Sequence, residues 1–291
     1  MRYASGALIS LLNGNTAFRM ADLYTITLWD STVYRWTDAD LDLVLGGHTF
    51  TAAVDQGTGT PLIERGGTRS SIGLEVDTLD LTLKAGQTIQ LGGVPLVRAA
   101  LNGTFDGARV ILERVFMPTW GDTSPGSVVL FEGNVAGCDP SSTSVKLTIK
   151  SELERLNTVL PRYLYMPACG HTVYSAGCGL NKTAWTVTGI VGAGATATSV
   201  PSNRAEAGGY FDLGVMVFTS GPALGSRRGV RAYAGGLFVP SIPLPVAPQP
   251  GDTFTVCPGC DHSLGAKGCG KFSNQTRFRG FPYVPRPETT R

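Results

Sequence analysis

Histidine is nearly missing from this sequence, with His48, His171 and His262 the only copies in 291 residues. Charge is scarce too: Asp, Glu, Lys and Arg make up 16% of the chain, and the net charge is +2. That balance gives no electrostatic case for a general nucleic-acid binder. No stretch reaches the roughly 18 apolar residues that a membrane span requires. Met1 and Arg2 followed by the apolar run 7–12 faintly resemble a signal peptide. The run is too short and no small-residue cleavage pattern follows, so the expectation is a chain made and folded in a cytosol. The nucleophile elbow and the HExxH zinc-protease motif are both absent. Acidic residues are scattered through expected strands and turns, and neither a fixed-period repeat nor a coiled-coil heptad is present. The sequence points to no enzyme.

What it does have is glycine, 38 copies, and an ordinary 42% of hydrophobic residues. The length allows two or three domains. Abundant glycine with little charge suits a β-rich protein with tight turns and surfaces that partner subunits cover. Residues 4–13 predict a short amphipathic helix with Ala7, Leu8, Leu11 and Leu12 on one side. Strand signals follow at 23–29, turned at Asp30 and Ser31 into 33–36, and a hairpin over 43–51 carries Gly46 and Gly47 at its tip. Between 72 and 84 the apolar residues alternate at Ile72, Leu74 and Val76, then shift phase to Leu79, Leu81 and Leu83. The slip predicts a bulge or bend near Thr78. A short helix is expected over 94–101, ended by Asn102 and Gly103. Strands are expected at 108–116, 127–133 and 144–150, and then a serine-capped helical turn over 151–157 ending at Pro161. Residues 1–160 therefore read as an antiparallel, mostly β unit with short helices.

Further strands are expected at 185–191, 210–218 and 229–233, before five prolines between 240 and 250 that predict an extended, polyproline-like connector. Residues 183–255 read as a small β domain inserted between two halves of a cysteine-rich region, 161–182 and 256–291. Two nucleotide-binding look-alikes fail. The P-loop match at 265–271 has Phe272 where Ser or Thr should bind magnesium, and the glycines at 192–194 precede Pro201 with no βαβ rhythm around them. Cys169 with His171 has the spacing of no usual catalytic dyad. His48 is expected to be an exposed loop residue.

Cys169 and Cys178 form one thiol group; Cys257, Cys260 and Cys269 form another, both set among glycines. Cys138 stands alone and is expected to be a buried small hydrophobe. Thiolates are soft metal ligands, and in a cytosolic chain such clusters favour metal over disulfides. Cys257 and Cys260 make a CxxC, which suits zinc, but the upstream pair lies nine positions apart, which suits an iron–sulfur cluster. The spacing leaves zinc and iron–sulfur open. Beyond Cys260, Lys267, Lys271, Arg277, Arg279, Arg286 and Arg291 outnumber Asp261 and Glu288. A zinc-binding nucleic-acid module using that basic segment is the alternative reading.

The closing run from Gly259, Cys260 and Asp261 through Cys269 and 272–274 to 278–282 resembles the C-terminal signature of phage tail-tip, or baseplate hub, proteins. That family includes the tail-tip proteins of lambda-like phages and the hub of gene transfer agents. Arg162 to Tyr165 with Cys169 and Cys178 is similar to the family's other cysteine element, and 76–81 and 105–112 are similar to its β-barrel hub region. The resemblance implies a mainly β fold with tail-tube-like barrels, a small cysteine-rich α+β C-terminal domain and an inserted β domain. It implies a homotrimeric ring joining the sixfold tail tube above to a threefold tip, with a receptor-binding or tail-fibre hub protein below and the tape measure protein in the lumen. Its place would be the virion's tail tip, assembled in the host cytoplasm. It also implies a 4Fe–4S cluster on Cys169, Cys178, Cys260 and Cys269. Cys257 departs from the family's pattern and is the alternative third ligand. Phe272, Phe278, Phe281 and Tyr283 are candidates to shield such a cluster.

Overall fold

The computed structural model describes residues 4–14, 17–53, 59–69, 76–84, 89–157 and 164–284. Pro161, Arg162, Tyr163, Arg286, Glu288 and Arg291 lie outside them, as do Ile72 and Leu74 of the expected phase slip. The chain divides into two compact units, Met1–Thr158 and Val159–Arg291. Both are mainly β.

In the first unit, helix α1 (Gly6–Gly14) precedes β1 (Arg19–Thr27), β2 (Val33–Thr37), β3 (Leu43–Leu45), β4 (His48–Ala52), β5 (Leu62–Arg69) and β6 (Thr78–Lys84). A two-residue ladder, β7 (Gln90–Leu91) with β8 (Val94–Pro95), leads into helix α2 (Leu96–Leu101). Strands β9 (Arg109–Met117), β10 (Ser127–Pro140) and β11 (Ser144–Lys150) follow. Nine strands form one sheet in the order β3-β4-β2-β1-β9-β10-β11-β6-β5. All its pairs are antiparallel except β2 with β4.

Local chemistry sets the turns. Asp30 Oδ1 accepts the Thr32 N–H at 2.9 Å, which closes the β1–β2 turn. Gly46 and Gly47 have φ of 57° and 78°, the left-handed pair that a two-residue hairpin needs. In β6, Leu79, Leu81 and Leu83 are fully buried while the residues between them are not, as the alternation predicts. Helix α1 buries only Leu8 and Leu11, and Ala7 and Leu12 are exposed, so its apolar stripe is narrower than expected. Ser151 accepts the Glu154 N–H through its carbonyl, and its buried hydroxyl has no partner among the described residues. The expected serine side-chain cap is therefore not made.

Strand β1 is the hinge of the unit's packing. Leu23 and Ala21 belong to one hydrophobic cluster, with Leu43, Phe50, Val115 and Met117, while Tyr24 and Ile26 belong to the larger one. Between them Asp22 is buried to 3% exposure. Its carboxylate accepts Arg114 Nε at 2.7 Å and Arg65 Nε at 2.8 Å, joining β1 to β9 and β5. A buried carboxylate is tolerable because both oxygens are satisfied by cationic donors.

In the second unit, helix α3 (Lys182–Trp185) is followed by β12 (Val187–Ile190), β13 (Val200–Pro201), β14 (Val215–Phe218), β15 (Arg227–Ala234), β16 (Leu237–Pro240) and β17 (Thr253–Cys257). They form a six-stranded sheet in the order β12-β17-β14-β15-β16-β13. Its core is aromatic: Phe211, Phe218, Tyr233, Phe238 and Phe254 are buried and in edge or tilted contact. Two expectations need correction. Trp185 closes α3, started by the Asn181 side-chain cap on Thr183 N, rather than opening a strand. Residues 210–213 form a turn, so the expected strand at 210–218 is confined to its last four residues. The proline-rich run also packs on this core: Leu244 is buried in it and its N–H donates to Ala197 O at 2.8 Å.

Candidate functional site

Residues 164–181 and 258–284 contain no strand, and apart from a few single turns of 3₁₀ helix they are irregular. Backbone bonds tie the two segments to each other. Cys169 N donates to His262 O at 2.7 Å, and His262 Nδ1 donates back to Cys169 O at 3.0 Å. Gly170 N donates to Arg279 O, and Phe281 N to Met166 O. Asn274 Nδ2 donates to Cys178 O at 2.8 Å. The Tyr174 hydroxyl donates to Pro258 O at 2.7 Å.

These ties bring Cys169, Cys178, Cys260 and Cys269 together. Burial first, and then the charges of Cys169, Cys260 and Cys178, push the Cys269 thiol up to about 11. The Cys260 thiol is raised chiefly by burial, with Asp261, Cys169 and Cys178 adding to the shift against the opposing His262 N–H. Thiols that raise one another in this way form a site that resists ionisation until a cation is present. Three of the four sulfurs accept an N–H. Arg279 N reaches Cys169 Sγ at 3.4 Å, His262 N reaches Cys260 Sγ at 3.3 Å and Asn274 Nδ2 reaches Cys178 Sγ at 3.6 Å. Such donors stabilise a thiolate and are a usual second layer around ligating cysteines.

Cys257 is placed differently. It ends β17, is paired with Val215 in the ladder, and is buried to 4% exposure. Its thiol donates to Val215 O at 3.7 Å. It is not among the main contributors to the shift of Cys260 or of Cys269. The sheet holds Cys257, and the Pro258–Gly259 step then carries Cys260 out of the ladder. Gly259 has to be glycine, because a Cβ there would stand 2.0 Å from the Leu213 carbonyl carbon.

Several glycines of the region serve close approach more than unusual dihedrals. A Cβ on Gly268 would lie 1.9 Å from Ser263 O, yet Gly268 has no positive φ. Gly179, at φ 70°, is an exception. Lys271 is not part of a free basic face: its ammonium donates to Tyr210 O at 3.0 Å and Gly259 O at 2.9 Å, and burial lowers its pKa. Among the expected shielding aromatics only Phe272 is buried, flanked edge-on by Tyr174 and Trp185, which the sequence did not single out. Phe278 is half-buried, and Phe281 and Tyr283 are exposed.

Other candidates do not join the site. Cys138 lies in β10 of the other unit, and burial pushes it up to about 11. His171 lines a cavity of about 730 Å³ with Tyr165, Met166, Arg279 and Phe281, and it is His262 rather than His171 that bonds Cys169. His48 is exposed, as expected, but it opens strand β4 rather than lying in a loop. Among the described residues no three His, Cys, Asp or Glu side chains are set to hold one metal ion. A zinc site needs its donors converging on one point with sulfur bonds of about 2.3 Å. An iron–sulfur cluster takes its cysteines on separate irons and does not need that convergence. The donor set, four cysteines with N–H groups on three sulfurs, fits a cluster.

A family model described as "Baseplate hub protein, N-terminal attachment domain" matches residues 5–181. A second, described as "Phage conserved hypothetical protein BR0599", matches residues 209–288. No curated protein matches. A solved structure titled "Virion of native gene transfer agent (GTA) particle" contains a chain that superposes with a TM-score of 0.72. The match covers 98% of this chain and 94% of that one at 22% identity, a likeness of fold.

Proposed function

We infer the role of this chain from a premise: it belongs to the baseplate hub protein family, whose model covers well over half of it. It is a structural protein of the phage tail, located in the virion. None of the helices among the described residues is long and apolar enough to cross a membrane. Within that role, we propose that it forms the homotrimeric ring at the junction of the sixfold tail tube and the threefold tip. Tail-tube proteins would lie above, the receptor-binding or tail-fibre hub protein below, and the tape measure protein in the lumen. Membership of the family supports the ring. The function is scaffolding, without catalysis.

We propose further that Cys169, Cys178, Cys260 and Cys269 hold a 4Fe–4S cluster. The observation that carries this reading is that four cysteines from two segments far apart in sequence lie near enough to influence one another's ionisation, three of them accepting N–H bonds on sulfur. A cluster there would supply a covalent cross-link between 164–181 and 258–284, so that folding of this region depends on metal loading. The zinc nucleic-acid module is not favoured, because Lys271 is already engaged by two carbonyls.

The test is the full chain purified without oxygen, assayed for iron, sulfide and zinc, with its visible spectrum and its mass in solution. About four irons and four sulfides per chain in a brown protein support the cluster, and a trimeric mass supports the ring. A colourless protein with one zinc overturns the cluster. Steeply salt-dependent DNA affinity would move the assignment to the nucleic-acid module.

A further inference from the structure

We propose that Asn274 is the positioning residue of the thiol site, the one side chain that locks Cys178 to the C-terminal segment and tunes its sulfur. This inference rests on the cluster reading given above. Asn274 touches both halves of the site. Its backbone N–H donates to Cys269 O at 3.0 Å. Its side-chain amide donates to Cys178 O at 2.8 Å and to Cys178 Sγ at 3.6 Å, within reach for a sulfur acceptor. The other two N–H donors on sulfur, from Arg279 and His262, are backbone groups fixed by the fold. Among the described residues, Asn274 is the side chain whose donor on a ligating sulfur a substitution can remove.

Cys178 needs such a tie. It belongs to no strand, and its own N–H is satisfied locally by Ser175 Oγ at 3.3 Å. The next residue, Gly179, is left-handed, and its N–H returns to Ser175 O. The Arg277 guanidinium fills the space behind Gly179, since a Cβ there would lie 2.6 Å from it. These contacts hold the turn as a unit, and among the hydrogen bonds of Cys178 it is Asn274 that links this turn to the segment bearing Cys260 and Cys269. An N–H directed at a thiolate sulfur withdraws charge from it. The amide therefore acts in two ways: it fixes where the ligand stands, and it raises the reduction potential of what the ligand holds.

The experiment compares wild type, Asn274→Ala, Asn274→Asp and the neighbouring exposed control Gln275→Ala, all as full chains made without oxygen. It reads iron and sulfide content, the rate of iron loss to a chelator and the midpoint potential. Asn274→Ala is expected to lose iron about 10–100-fold faster than wild type, the usual cost of losing an outer-layer partner, and to have a lower potential. Asn274→Asp, of the same shape but with a carboxylate against the sulfur, should lose iron faster still, and Gln275→Ala should match wild type. If the alanine variant does not fold, wild type labelled with ¹⁵N-asparagine decides the matter: pulsed EPR of the reduced protein should show a coupled amide nitrogen. A loaded wild type with an unchanged Asn274→Ala, or with no coupled nitrogen, overturns this inference and leaves the cluster standing. Wild-type protein without iron and sulfide overturns both.

Discussion

Serine at position 260 and serine at position 257 are changes three residues apart, and the structure separates their effects. Cys257 is buried at the end of β17, beside β14, with its thiol on Val215 O. A serine hydroxyl there can make the same bond, so Cys257→Ser loses mainly the burial of sulfur, about 1 kcal/mol. Cys260 is only half-buried, and in metal-free protein its loss should cost no more than that. In loaded protein the two diverge. A cross-link between Cys178 and Cys260 closes a loop of roughly eighty residues, worth about 4–5 kcal/mol in chain entropy. At roughly 3–5 °C per kcal/mol for a unit of this size, Cys260→Ser should lower the melting of the second unit by about 12–25 °C. Cys257→Ser should lower it by about 3–5 °C. Iron content should fall by more than half in Cys260→Ser and stay at wild-type level in Cys257→Ser. Differential scanning calorimetry with parallel iron assays, before and after chelation, reads all four cases. Loss of iron in Cys257→Ser with retention in Cys260→Ser would refute the assignment, and equal shifts in loaded and stripped protein would refute the cross-link.

Three further outcomes are expected. Asp22→Ala leaves the guanidinium groups of Arg65 and Arg114 partly buried without their carboxylate, a loss of about 3–5 kcal/mol. The first unit should then melt roughly 6–20 °C lower, and a shift near zero by calorimetry would show that the pair contributes nothing net. Cys138, raised from 9.0 to about 11 by burial and by the nearby Asp106 and Asp139, should carry roughly a hundredth of the thiolate of an ordinary cysteine near pH 8. Its pKa is higher in the folded than in the unfolded chain, so its contribution to stability is complete below about pH 9 and lost as pH rises toward about 11. Alkylation followed by mass spectrometry against pH tests this, and reaction at the rate of a free thiol at pH 8 would contradict it. Gly268→Ala sets a methyl against Ser263 O and should unseat the turn before Cys269, cutting iron content by at least about half at a cost of roughly 2 kcal/mol or more. Iron content equal to wild type would show that the turn yields without disturbing its cysteine.

What could be read in the sequence was what short-range physics determines. The Gly46–Gly47 hairpin follows from the two left-handed dihedrals its turn demands, and β6 follows from the alternation of Leu79, Leu81 and Leu83. The stop at Asn102 and Gly103 was legible for the same reason. Trp185 was misplaced because β propensity favours tryptophan in strands, whereas the Asn181 cap, a stronger local signal, starts a helical turn first. Asp22 with Arg65 and Arg114 was illegible, since nothing along the chain pairs residues from three strands. The cysteine spacing marked the site but left Cys257 and Cys260 as rivals. What distinguishes them is sheet register: β17 ends on Cys257, opposite Val215. The contacts of Asn274, His262 and Tyr174 could not be read, because their partners lie in the other segment.

The distribution of buried side chains separately supports the proposed cross-link in this region. In 164–181 and 258–284 the buried apolar side chains are Cys169, Pro258, Cys269 and Phe272, two thiols, a proline and a single aromatic ring. The neighbouring sheet buries five large aromatics in a continuous cluster. Ordering the irregular segments costs backbone and side-chain entropy at every residue, and one phenylalanine with a handful of hydrogen bonds does not offset that over so long a stretch. Small regions with too little core are held by disulfides or metals. A disulfide would use two of the thiols and leave the N–H groups aimed at sulfur from Arg279, His262 and Asn274 without a common purpose. The proposed centre, engaging all four cysteines as thiolates, would account at once for the meagre core and those donors. It also explains the tightness of Gly259 and Gly268, since a turn that must deliver a ligand to a fixed point leaves no room for a side chain. The expected consequence is that removing the metal unfolds 164–181 and 258–284 while the six-stranded sheet persists. Hydrogen exchange on chelated protein should therefore show amides of those two segments unprotected and amides of β14, β15 and β17 still protected; uniform protection throughout would mean that the segments hold themselves together without a metal.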